Sequence, residues 1–205
     1  DWPDAQIAEF GHDANNGWRG QKADIYEAGH RVPFIVRWPA AVEAGTVSEQ
    51  LVCTTDILAT LAQVVRHDLA DDEGEDSVSF LPVLVGLDNV GPLRQSVVHH
   101  SLNGTFAIRR GDWKAVLARG GKWELYNLAE DRTELNDLAS AKSDLTHELS
   151  ELWHEVAENV DKAPKNHRKP AGDKLQSFPA SSMTQREAGP KASTKSGGRK
   201  RKKNE

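Results

Sequence analysis

The sequence holds a single cysteine among 205 residues. Cys53 therefore has no partner for an internal disulfide, and a structural zinc site built on two or more thiolates is excluded with it. No run of about 18 apolar residues exists, so no segment qualifies as a membrane-spanning helix. The one methionine is Met183, and the chain opens at Asp1 with "DWPDAQIAEFGHD", a polar stretch with no apolar leader. It reads as a fragment, a processed product or the result of a misplaced gene start. Its missing leader is thus silent on compartment.

What is present is unevenly charged. The net charge of −5 divides into +10 over residues 162–205 and −15 over the rest. An acidic body carries a basic tail. From about Asp161 apolar residues give way to Pro, Lys, Ser and Gly, a composition that cannot bury enough surface to order itself. The tail end "GGRKRKKNE" is compositionally like a nucleic-acid or nuclear-localisation patch. Such a run gives only salt-sensitive attraction to polyanions, and a solvated tail is the simpler reading.

The body has two textures. "FIVRW" (34–38), set between Pro33 and Pro39, has the length and composition of a buried strand. In "TTDILATLAQVV" (54–65), Ile57, Leu58, Leu61, Val64 and Val65 recur at helical spacing. Thr54 or Thr55 is the expected N-cap, and Asp56 suits the first turn. Further on, "QSVVHHS", "TFAIRRG", "WKAVLAR" and "WELYNL" are short runs divided by "LNG", "GD" and "GGK". These turn residues predict an antiparallel meander. "AKSDLTHELSELWHEVAENV" (141–160) is an amphipathic helix with Leu145, Leu149, Leu152, Trp153 and Val156 on one face and Ser143 as candidate cap. Its expected task is to cover one face of the meander, with Trp113, Trp123 and Trp153 as core.

One lysine stands out. In "NNGWRGQKADIYEAGHRVPFIVRWP" (15–39), Lys22 follows a loop turned by Gly17 and Gly20. Glycines let a backbone turn sharply and approach a ligand closely, and an ammonium with three donors suits sulfate or phosphate. The segment is not a P-loop: two residues separate its glycines and no Ser or Thr follows the lysine. On local pattern alone, a solvated surface lysine is the plainer reading.

The longer arrangement resembles the sulfatase family, in particular arylsulfatase A-like enzymes. That family carries G-x-K-x-x-x-x-E-G-G-x-R-V-P followed by a strand ending in W-P. Here the matching residues are Gly20, Lys22, Glu27, Ala28, Gly29, Arg31, Val32, Pro33, Trp38 and Pro39, with Ala28 replacing a glycine. "DSVSFLPVLVG" is similar to the family's D-G-x-S-F-L-P-x-L-x-G, with Ser77 in place of glycine. "VVHHSLNGTFAIRRGDWKAVL" and "WELYNLAEDRTELNDLA" resemble its C-terminal strands. The motifs follow the family's order over residues 11–155.

The resemblance implies an α/β, alkaline-phosphatase-like fold, incomplete here, with a C-terminal antiparallel sheet plus helix and a disordered basic tail. The expected divisions are 1–90 for part of the catalytic domain, 91–160 for the β subdomain and 161–205 for the tail. It implies sulfate-ester hydrolysis at a formylglycine made from C/S-x-P-x-R, assisted by a calcium-type ion on Asp and Asn oxygens. Lys22 takes the position of the sulfate-binding lysine. The full-length family's substrate is a sulfate ester, and export or a periplasmic location is expected of it.

The sequence contains no C/S-x-P-x-R. Cys53, in "VCTTDI", is read as a structural thiol. "NNG" lies too close to Lys22 to replace the family's D-N-G metal motif. No residue of the chain is therefore assigned to a metal, and the polypeptide alone is not expected to hydrolyse sulfate esters. His12, His30 and His100 are candidates for the substrate rim. His99 and His100 should point to opposite faces of a strand. The competing readings are a non-catalytic anion-binding remnant and a tail-driven polyanion or nucleic-acid binder. No specific nucleic-acid partner and no oligomeric state is assigned.

Overall fold

The computed structural model describes residues 9–70, 72–87 and 91–158. The expected basic tail, 161–205, lies outside the described residues. The element order is α1 (Glu27–His30), α2 (Asp56–Val64), α3 (Leu81–Leu84), β1 (Val97–His100), β2 (Phe106–Arg110), β3 (Trp113–Leu117), β4 (Trp123–Asn127) and α4 (Ser143–Glu158).

The meander forms as its turn residues dictate. The four strands make one antiparallel sheet in the order β1-β2-β3-β4. The β2–β3 turn is only Gly111 and Asp112, and Gly111 takes φ 57°, which a side chain disfavours. Register then sorts the faces. Val98 lies opposite Ile108, Ile108 opposite Ala115, and Ala115 opposite Leu125. This face packs on α4 through Leu145, Leu149, Leu152 and Trp153, with Trp113 and Trp123 at its margins. Trp123 and Trp153 meet edge to face at 5.8 Å.

The other face is buried too, and by a different element. Ala107, Val116 and Tyr126 pack against Ile25, with Tyr26 beside them. The sheet is therefore sandwiched between α4 and the segment that carries Lys22.

Several local expectations change. α4 begins at Ser143, whose hydroxyl donates to Asp144 Oδ1 at 3.4 Å and caps no backbone N–H. α2 has no cap from the side chain of Thr55. Instead Ser77 serves its first turns, accepting from Ala59 N–H at 2.8 Å and donating to Thr55 O at 2.7 Å. Asp56 is a buried anchor: it accepts from Cys53 N–H (2.7 Å) and Val78 N–H (2.8 Å) and pairs with Arg94.

The expected buried strand at 34–38 is corrected. The segment joins no sheet, and Ile35 is 89% exposed. A buried strand needs neighbours on both sides, and among the described residues none pairs with it. The apolar stripe of α2 is likewise outward: Ile57, Leu58, Leu61 and Val65 are exposed, while Ala59, Thr60 and Ala62 face inward. The helical period was right and the buried face opposite to the expected one. Short polar and small side chains let α2 approach residues 77–80 closely through hydrogen bonds rather than through its large apolar groups.

Candidate functional site

Lys22 projects from a loop that is fastened on all sides except its own. Asn15 Nδ2 donates to Gly20 O at 2.8 Å, and Asp24 Oδ2 accepts from Gln21 N–H at 3.0 Å. Ala28 N–H reaches back to Arg19 O at 3.0 Å. The next residue, Ala23, sits at φ 83° and accepts at its carbonyl from Leu102 N–H at 3.0 Å. That bond ties the lysine loop to the β1–β2 connection. Lys22 itself is exposed, and no hydrogen bond or ion pair engages its ammonium among the described residues.

Gly29 explains the E-A-G segment. A Cβ there would lie 2.1 Å from Asp24 O, a backbone contact that nothing can relieve. The second glycine of the motif is therefore obligatory for the loop to close on α1. Position 28 carries Ala inside α1 without disturbing the Arg19 bond.

Behind the loop lies a buried charge cluster. Lys114, on β3, is 0% exposed, and its Nζ lies 3.2 Å from Glu27 Oε1 and 2.9 Å from Glu134 Oε1. The Glu134 contact is an ion pair without directed hydrogen-bond geometry. Glu134 Oε2 accepts from Glu27 N–H at 2.7 Å. Arg109 Nη1 lies 3.1 Å from Glu27 Oε2 and Arg31 Nη1 3.5 Å from it. Burial opposes the Glu27 charge, but Lys114 and Arg109 outweigh it and hold its carboxyl below the ordinary range. Burial prevails at Glu134 and pushes its carboxyl up, with Lys114 only partly offsetting it. Such a cluster positions more than it stabilises, since desolvation consumes most of the attraction.

Arg19 adds a second tie. Its guanidinium lies 3.5 Å from the centroid of Tyr26, and it donates to Tyr126 Oη at 3.3 Å and to the Glu134 carbonyl. The loop, the sheet and the β4–α4 connection are thus joined through side chains on one face.

The expected rim histidines separate. His12 is exposed in the loop's approach. His100 points to the α4 side, its ring 4.8 Å from that of Phe106 and tilted to it by 52°. His99 takes the opposite face, as alternation requires, and its ring lies 4.5 Å from that of His30. The structure brings His30 together with His99, not with His12 or His100. The Nε2 atoms of both paired rings are buried without a partner among the described residues. Burial, with His30 and Lys114 adding to it, holds His99 down to about 3; burial also lowers His30. Both imidazoles are neutral at neutral pH.

Sequence reasoning named Glu27 only as part of a motif and missed Lys114, Arg109 and Glu134. The available signal was alternation in "WKAVL": Lys114 shares a face with Val116, and a sheet buried on both faces must bury that lysine too. The described residues contain no group of three or more His, Cys, Asp or Glu able to hold a metal ion. They do not fit a calcium site.

Residues 15–162 match the family described as "N-sulphoglucosamine sulphohydrolase, C-terminal". The chain is 35% identical to an N-acetylgalactosamine-6-O-sulfatase of Bacteroides thetaiotaomicron over 161 residues, which is 71% of this chain and 31% of the relative. It is 34% identical to an arylsulfatase of Hemicentrotus pulcherrimus over 113 residues, covering 55% of this chain and 20% of the relative. A structure solved in work on "metabolism of multiple glycosaminoglycans" in Bacteroides thetaiotaomicron superposes with a TM-score of 0.66 at 34% identity, over 75% of this chain and 35% of that one. The fold is shared with Ps i-CgsB in complex with k-i-k-neocarrahexaose, at a TM-score of 0.58 and 21% identity, over 80% of this chain and 37% of that one. The chain spans about a third of the length of the first of these relatives.

Proposed function

The chain belongs to the sulfatase family, matching its C-terminal portion, and from that premise we propose that it supplies the sulfate-binding lysine of a sulfate-ester hydrolase. Lys22 is the residue that carries this reading. It is exposed and unengaged, on a loop whose backbone is pinned by Asn15, Asp24, Gly29 and Leu102. A pinned backbone with a free ammonium is what recognition of an oxyanion needs. The ammonium would donate to sulfate oxygens and offset charge that grows there as the ester S–O bond breaks. In the family that chemistry also draws on formylglycine and a calcium-type ion. The residues described here contribute neither, and their share is to hold the sulfate and fix its orientation.

The test places residues 15–162 into the Bacteroides thetaiotaomicron relative in exchange for its matching segment. In that chimera Lys22→Ala should lower kcat/KM on a sulfated galactosamine about 100-fold or more, with Lys22→Arg recovering part of the loss. A Lys22→Ala chimera within a few-fold of its parent would refute the assignment. The 205-residue chain alone should release no nitrophenol from nitrophenyl sulfate above its own Lys22→Ala variant.

A further inference from the structure

Two guanidinium groups converge on one indole in the lysine loop. Arg31 Cζ lies 4.2 Å from the Trp18 ring centroid and Arg132 Cζ lies 4.4 Å from it. Trp18 belongs to the loop that carries Lys22, Arg31 follows α1, and Arg132 comes from the connection after β4. Stacking orients a guanidinium without neutralising it.

Neutralisation nearby is incomplete. Arg31 reaches Glu27 only at 3.5 Å, and that carboxylate also serves Lys114 and Arg109. Arg132 is exposed, and no ion pair or hydrogen bond engages its side chain among the described residues. The adjacent Asp131 is occupied: it accepts from the N–H groups of Leu135 and Asn136 and from the Thr133 hydroxyl, each at 2.8 Å. Arg31, Arg109, Lys114 and Arg132 are thus set against the carboxylates of Glu27 and Glu134 and that of Asp131, which stays charged on its neutral donors. This positive excess sits on a body, residues 1–161, whose net charge is −15. Guanidinium planes are weakly hydrated and match the oxygens of sulfate or carboxylate.

We propose that Arg31 and Arg132, held on Trp18, form an anion subsite for a second acidic group of a polyanionic saccharide whose first sulfate lies at Lys22. The placement of that first sulfate rests on the reading of Lys22 given above. The subsite itself rests only on the Trp18 geometry. It selects a multiply charged sugar over a singly sulfated neutral molecule.

The test uses the full 205-residue chain and two probes, a disulfated disaccharide and its monosulfated counterpart. The readout is the Trp18 indole N–H resonance, assigned with Trp18→Phe. The disulfated probe should shift it saturably and bind about tenfold more tightly than the monosulfated one, a gain of about 1.4 kcal/mol. Arg132→Gln should erase that tenfold difference without changing the melting temperature, and Arg132→Lys should restore part of it. Charge reversal at Arg199, Lys200 and Arg201 should leave the shift in place, which separates the subsite from attraction by the tail. Equal affinity for the two probes, no saturable shift at millimolar probe, or a discrimination that survives Arg132→Gln would each overturn the subsite. If Lys22→Ala leaves both affinities unchanged while Arg132→Gln removes the discrimination, the Lys22 assignment falls and the subsite stands.

Discussion

Residues 97–158 and residues 9–87 are built on opposite terms. In the first region the sheet and α4 consume their own apolar side chains: Ile108, Ala115, Leu125 and Leu149 are all 0% exposed. In the second, Val32, Phe34, Ile35, Leu58 and Leu61 stand in solvent, while the buried positions of α2 are Asp56, Ala59, Thr60 and Ala62. Order in the second region comes from hydrogen bonds, from charges reaching across to the sheet and from a small set of buried apolar groups, Ile25, Val78, Phe80 and Leu81. Its exposed apolar side chains fall mainly in two runs of sequence, around 32–35 and 57–65. The Bacteroides thetaiotaomicron relative is about three times the aligned length.

The strongest way to break this contrast is at the joint between the two regions. Lys114→Met should cost about 3–5 kcal/mol, because it leaves Glu27 and Glu134 buried beside each other without their shared cation. Urea unfolding of the full chain measures it. A triple variant, Glu27→Gln with Lys114→Met and Glu134→Gln, should recover much of the loss. Failure of the triple variant to recover any would mean that Lys114 acts through packing and not through charge.

A paired truncation sharpens the contrast itself. Leu149→Ala should cost about 2–5 kcal/mol, the usual price of a cavity in a closed core. Leu61→Ala, 57% exposed, should change stability by no more than about 0.5 kcal/mol. Equal costs would show that the α2 face is covered in solution, and a concentration-dependent melting temperature would identify the cover as a second copy.

The same contrast explains what could be read in advance. The meander and α4 are legible because each strand and the helix find their partners among neighbours in sequence. Local pattern and turn chemistry then suffice. The segment 34–38 defeats that logic: Phe34, Ile35 and Val36 have strand composition, but no strand within the described residues lies beside them. Period alone placed the α2 stripe and could not say which side is covered. At the candidate site, Lys22 and Gly29 were visible through the resemblance of their segment to the sulfatase family's motif. Lys114, Arg109 and Glu134 were not, because their role depends on which face of the sheet the lysine loop covers. His99 rather than His100 lies beside His30 for the same reason.

The smallest effect probes the loop that both regions share. Ala23 adopts φ 83°, where a Cβ costs roughly 1–2 kcal/mol. Its carbonyl bond to Leu102 N–H holds it there from the sheet side. Glycine removes the steric cost but adds freedom to the unfolded chain, worth about 0.4–1 kcal/mol against it. Ala23→Gly should therefore stabilise the chain by about 0.5 kcal/mol, read as a shift of the urea midpoint at unchanged slope. A loss of stability of that size would place Ala23 in an unstrained conformation in solution. The Leu102 bond would then follow the loop instead of holding it, and the backbone beside Lys22 would be set from its own side of the joint.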